Sequence, residues 1–157
     1  MTMTRDGRGT LYCTERITAP ERRALYRKLE QERVCQFCPE GIELGYVNIL
    51  FELQHWYVTK NDPQYGGTFA HWTAISKKHH IGQNDVGAGD ELFEIQRRFV
   101  QDNGVDAVCM VQRRGNMSRT CASMSHDHVH FAVAHEGKLG DKTFQMDLGY
   151  WPKCEGL

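Results

Sequence analysis

The sequence predicts an α+β domain, an antiparallel sheet of about five strands with helices packed on one side of it. Segments rich in β-branched and aromatic residues follow one another along the chain, separated mostly by short turn-forming stretches. Few stretches between them carry apolar residues at helical spacing, and strands that neighbour in sequence without helices between them favour antiparallel pairing. A chain of 157 residues suits one domain with a sizeable core. Residues 19–157 are therefore expected to form a single domain, preceded over 1–18 by a polar, glycine-containing, flexible N-terminal segment.

The elements follow in order. The stretch Thr18-Ala-Pro-Glu-Arg-Arg-Ala-Leu-Tyr-Arg-Lys-Leu-Glu-Gln-Glu has proline in its first turn and apolar residues at helical spacing, which predicts a helix over 20–33. The knuckle Cys35-Gln-Phe-Cys38 comes next, with Pro39-Glu-Gly41 as a turn. Strands are expected over 46–53 and 55–59, then a dense turn at Asn61-Asp-Pro-Gln-Tyr-Gly-Gly67, then a strand over 68–76. Val86, Leu92, Phe93, Ile95, Phe99 and Val100 recur at helical spacing before Asn103-Gly104, predicting a helix over 85–102. A strand over 107–112, a loop over 113–125, the strand 126–134 and a short strand over 143–148 complete the chain.

The strand 126–134 carries the strongest functional signal, Ser-His-Asp-His-Val-His-Phe-Ala-Val. Side chains alternate along a strand, so His126, His128 and His130 would share one face while Val129, Phe131 and Val133 pack behind them. Each buried imidazole needs partners for its ring nitrogens, which makes three in register costly for structure alone. The pattern points to a metal, a phosphate or a proton-transfer site.

Composition excludes other classes. A net charge of −1 makes no electrostatic case for nucleic acid or an anionic membrane. No apolar run is long enough to span a bilayer, and the first residues lack the apolar centre of an export signal, so a cytoplasmic protein with six reduced cysteines is expected. A reduced Cys-x-x-Cys pair reads first as metal-ligating or redox-active. The spacing of Cys35 and Cys38 suits one edge of a tetrahedral zinc site that still needs two ligands.

Three blocks occur in order: Cys35-x-x-Cys38; Ala70-His71-Trp-Thr-Ala-Ile-Ser-Lys77-Lys78-His79; and Ser123-x-x-His126-x-His128-x-His130. Together they resemble the histidine triad superfamily of nucleotide hydrolases and nucleotidyl transferases, over about residues 35–133. Ser76 stands where the family usually has proline, Asp127 where it has an apolar residue, and Asn116-Met-Ser-Arg-Thr-Cys-Ala122 where it has a glycine-rich phosphate loop. The helical extension before the cysteine pair is a further departure.

The resemblance implies a nucleotide substrate cleaved at its α-phosphate, a phosphoramidate or dinucleoside polyphosphate, with His128 as the attacking nucleophile. His130 and His71 would flank the phosphate as donors and Ser123 would bond the leaving or bridging atom. Asn61 and Asp62 sit near the family's ribose contact, where simple turn chemistry explains them equally well. Asn116 is a phosphate-contact candidate one residue off the usual place. Branches of the family complete a structural zinc site with the histidine after the lysine pair and the first triad histidine, which would make it Cys35, Cys38, His79 and His126, with His80 competing for the third place. Family members are often two-fold dimers, so a homodimer is implied.

Some residues carry two readings. Arg113, Arg114 and Arg119 either attract phosphates or are solvated. Tyr46, Phe51, Trp56, Tyr57 and Trp72 read mostly as core, and Cys13, Cys109, Cys121 and Cys154 as packing. Two rival functions stay open: a non-catalytic nucleotide-binding or adaptor module, and a metalloenzyme whose catalytic metal sits on the triad itself.

Overall fold

The structure, a computed structural model, describes residues 10–14, 17, 19–61, 66–80, 85–113, 117 and 122–135. The strand expected over 143–148 lies outside them, as do Asp62 and Asn116. Eight elements follow in order: α1 (Pro20–Glu32), α2 (Pro39–Glu43), β1 (Ile49–Glu52), β2 (Trp56–Lys60), β3 (Thr68–Ser76), α3 (Ala88–Asn103), β4 (Cys109–Arg113) and β5 (His128–Ala134). The five strands form one sheet in the order β1-β2-β3-β5-β4, every neighbouring pair antiparallel. This is the α+β architecture expected. Among the described residues no helix is long and apolar enough to cross a membrane.

Residues opposite each other on antiparallel strands point to the same side. Val129 lies opposite Ala74 and Gln112, and Phe131 opposite Trp72 and Met110. Val129, Phe131, Ala74 and Trp72 join Ile95 and Phe99 of α3 in one buried core. His128 lies opposite Ile75 and Arg113, and His130 opposite Thr73 and Val111, so these occupy the other face. That face is not bare, which corrects the expectation of helices on one side only. Tyr26 and Leu29 of α1, Phe37 of the knuckle, and Leu11 and Tyr12 pack with Ile75 in a second buried cluster. The physical reason is that α1 has its own apolar stripe, and burying it needs a second surface.

The same cluster includes Leu11, Tyr12 and Ile17, which belong to the segment expected over 1–18 to be flexible. Leu11, Tyr12, Cys13 and Ile17 are buried. The amides of Leu11 and Tyr12 both donate to Glu30 Oε2 at 2.9 Å, satisfying donors that would otherwise be stranded. Cys13 N donates to Ser123 O and Ser125 N to Leu11 O, each at 2.9 Å, so this arm pairs with the segment that leads into β5. Cys13 is also disulfide-bonded, against the expectation of six reduced cysteines, and the bond's other half lies outside the described residues. Cys35, Cys38 and Cys109 are free.

Local differences have local causes. The turn expected at 39–41 is the first part of α2, started by a proline at a position that needs no amide donor. Gly41 is required there, because a Cβ would stand 2.3 Å from Cys35 O. The helix expected over 85–102 begins only at Ala88, after Gly87 with φ 89°. His126, expected on the strand, precedes it, since β5 starts at His128.

Candidate functional site

Two groups of side chains meet at the start of β5. In the first, the ligand atoms of Cys35, Cys38, His79 and His126 all lie within 4.8 Å of one another. His126 Nε2 is 2.8 Å from the carbonyl of Ser76, which can only accept, so the ring proton is on Nε2 and the Nδ1 lone pair is free. That Nδ1 stands 3.3 Å from Cys35 Sγ and 3.6 Å from Cys38 Sγ. His79 presents Nδ1 at 3.4 Å to Cys38 Sγ, and its Nε2 meets Ser125 Oγ at 3.0 Å.

Both imidazoles therefore turn the same nitrogen toward the thiols and anchor the other outside, the arrangement found around metal ligands. Four-coordinate ligation by two thiolates and two imidazoles gives sulfur–nitrogen edges of about 3.5 Å, and the observed separations match. The Cys38 thiolate is favoured first by a hydrogen bond from the Cys35 thiol and then by His126 and His79. The donor set and spacing fit a metal ion.

The competition between His79 and His80 is decided by Asp127. This carboxylate is buried, and His80 Nδ1 lies 3.8 Å from it. The Asp127 amide donates to His79 O at 3.0 Å and its carbonyl accepts from Ser76 N at 3.1 Å. His80 Nδ1 therefore faces the carboxylate, while His79 Nδ1 faces the Cys38 thiol.

The second group lies on the sheet face. His128 is buried, and its Nδ1 is 2.7 Å from the His126 carbonyl. The carbonyl accepts, so Nδ1 carries the proton and Nε2 keeps a lone pair. Burial first, and also the nearby charges of His126 and Arg113, lower His128 to about 4, leaving a neutral ring at neutral pH. His130 stands next on the strand, its ring centre 4.9 Å from that of His128. His71 of β3 meets it, Nε2 to His130 Nδ1 at 3.0 Å. Burial, then the charges of His128, His71 and Arg113, keep His130 well below its ordinary value.

Other candidates fall near or beyond this face. Asn61 is held by its amide on His71 O at 2.9 Å and accepts from Thr73 Oγ1 at 3.4 Å. The same hydroxyl lies 3.4 Å from His130 Nδ1. Ser123 is half-buried in the segment before His126, and among the described residues no hydrogen bond joins its side chain to the triad.

Sequence reasoning missed two contacts. Thr73 is two residues along the strand from His71, so alternation from that histidine already placed it on the same face. Phe37, between the cysteines, meets the rings of His126 and His128 edge-on at 5.8 and 5.6 Å. Nothing in its sequence position signalled that contact.

The burial of His71 has a measurable consequence. Burial lowers it from 6.5 to about 4, so the unfolded chain binds a proton between those values that the folded chain does not. Stability is complete above about pH 6.5 and falls as pH drops toward 4, by about 3 kcal/mol from this residue. Urea unfolding of His71→Gln should lose about that much of the wild-type decline between pH 7 and 4. An unchanged slope would remove His71 as its source.

A five-stranded antiparallel sheet with helices, bearing His71, His128 and His130 on one face, agrees with the histidine-triad-like fold that the motifs imply. Among solved structures, the chain is similar to a histidine triad protein from Clostridium difficile, with 14% sequence identity and a TM-score of 0.48, over 62% of this chain and 90% of that one. No family model and no curated protein matches the chain.

Proposed function

We propose that this protein is a nucleotide hydrolase or nucleotidyl transferase that cleaves a nucleoside phosphoramidate or dinucleoside polyphosphate at the α-phosphorus. The observation that carries this reading is the state of His128: a neutral imidazole whose Nδ1–H is tied to the His126 carbonyl and whose Nε2 lone pair is available. A nucleophilic histidine needs both.

In the first step the Nε2 lone pair forms a bond to the α-phosphorus, and the phosphorus–oxygen or phosphorus–nitrogen bond to the leaving group breaks. The leaving group takes that electron pair and a proton from solvent, which the attacking water gives back in the second step. Water then attacks the phosphorus, the bond to nitrogen breaks, and nucleoside monophosphate leaves with His128 neutral again. When His71 Nε2–H donates to His130 Nδ1, His130 keeps its own proton on Nε2 and can donate to a phosphate oxygen. Ser123 is assigned to the leaving atom, and Asn61 and Asp62 to the ribose. Asn116 is assigned to the phosphate.

The ion held by Cys35, Cys38, His79 and His126 is assigned as zinc, since two thiolates and two imidazoles are its preferred tetrahedral set. Four protein ligands leave no open position, so its contribution is a cross-link between the knuckle, the segment after β3 and the segment before β5. It activates no water.

The test is acid-free denaturation of the protein during turnover of a phosphoramidate and polyphosphate panel, followed by peptide mass analysis. A nucleotidyl increment on the peptide carrying His128 is expected. Product release without any such increment would overturn the covalent route. Nucleotide binding with neither release nor increment would favour the adaptor reading.

A further inference from the structure

We infer that Arg113, directly opposite the proposed nucleophile on β4, grips the substrate's phosphate oxygens. This inference rests on the nucleotide reading above and deepens it.

Cleavage at phosphorus moves negative charge onto phosphate oxygens, and preorganised charge or donors must meet it. Burial holds His71 down to about 4, so that ring carries no charge at neutral pH. The strand positions on the face follow from the pairing. Ile49 and Glu52 of β1 lie opposite Thr59 and Tyr57, which lie opposite Thr73 and Ile75, and Cys109, Val111 and Arg113 of β4 lie opposite Ala132, His130 and His128. Among these described strand residues Arg113 is the only cation; Lys77, just after β3, lies over the Tyr57 ring and pairs with Glu52.

Its placement suits the role. Residues directly opposite on an antiparallel pair have Cβ atoms about 5 Å apart, and Arg113 is directly opposite the proposed nucleophile. Arg113 is half-buried, with Nε inside the protein, so its charge is less screened than that of a solvated arginine. A guanidinium also offers several donors in a planar fork that matches phosphate oxygens.

The experiment compares wild type, Arg113→Met and Arg113→Lys by calorimetric titration with the four common ribonucleoside 5′-monophosphates and their parent nucleosides. The monophosphate that binds best should bind more tightly than its nucleoside. Arg113→Met should erase most of that difference, weakening the monophosphate about tenfold or more and leaving the nucleoside unchanged, while Arg113→Lys restores part of it. In turnover, Arg113→Met should lose about 10²- to 10³-fold in kcat, and added guanidinium chloride at millimolar concentration should rescue it selectively. A melting temperature and metal content equal to wild type identify a folded variant, and Arg113→Gln replaces the methionine variant if that one fails to fold.

A phosphate-dependent affinity that survives both neutral substitutions overturns the assignment. Arg113-dependent binding in a protein that never forms nucleotidyl-histidine leaves Arg113 as the phosphate contact and sinks only the hydrolase reading. A wild type that binds no monophosphate overturns both.

Discussion

Replacing His128 with alanine is expected to abolish measurable turnover, by about 10⁴-fold or more, while the protein stays folded and keeps its metal. Removing His130 or His71 should cost less, about 10²- to 10³-fold, the usual loss for one donor to a charged transition state. The order follows from what each ring does. His71 and His130 share one hydrogen bond at 3.0 Å and hold a proton in place, a role that water or a neighbouring donor can partly fill. In the proposed reaction His128 supplies the electron pair, with its tautomer set by the 2.7 Å bond to His126 O, and alanine has nothing to put there. Single-turnover measurements on the three variants, with metal content checked, decide this. Equal losses in all three would mean that His128 is no more than another donor.

Stripping the metal is expected to have the largest effect on stability. Structural zinc contributes about 10–16 kcal/mol to the folding of small finger peptides. Here the sheet and α3 keep a core of their own, so a loss of several kcal/mol is expected, on the order of 10 °C in Tm. The cause is concrete: without the ion, two buried cysteines and two imidazoles face each other across 3.3 to 3.6 Å with nothing between them.

Activity should fall with the metal, although no step passes through it. His126 turns its Nδ1 to the Cys35 and Cys38 thiols and its carbonyl to His128, and Phe37 of the knuckle meets the His128 ring. Metal analysis and melting curves on wild type, Cys38→Ser and His128→Ala test this. Cys38→Ser should lose the ion and the stability, and His128→Ala should lose neither. Loss of the ion from His128→Ala would instead support a metal on the triad.

Much of this arrangement was legible in the chain. The strand over 68–76 agrees with β3, because a long run of β-branched and aromatic residues between a glycine-rich turn and a polar stretch has one reading. The helix around Ile95 and Phe99 was equally plain, since its apolar positions repeat at helical spacing. The four residues whose ligand atoms gather together are those the resemblance implied, Cys35 and Cys38 being legible from their own spacing and His79 and His126 only through the resemblance, with His80 left competing.

What the chain alone did not disclose depends on contacts between distant segments. The arm at Leu11–Tyr12 looks polar and mobile in sequence, and is held by remote partners: Glu30 accepts both amides, and Ser123 and Ser125 pair with it through the backbone. The choice of His79 over His80 depends on where a buried Asp127 sits. Arg113 reads in sequence as either phosphate-attracting or solvated, like Arg114 and Arg119, and strand pairing places it opposite His128. Residue types and their spacing determined which chemistry this protein is equipped for. Which nitrogen faces which partner was decided by the tertiary structure, because tautomer, burial and charge at a histidine are set by neighbours remote in the chain.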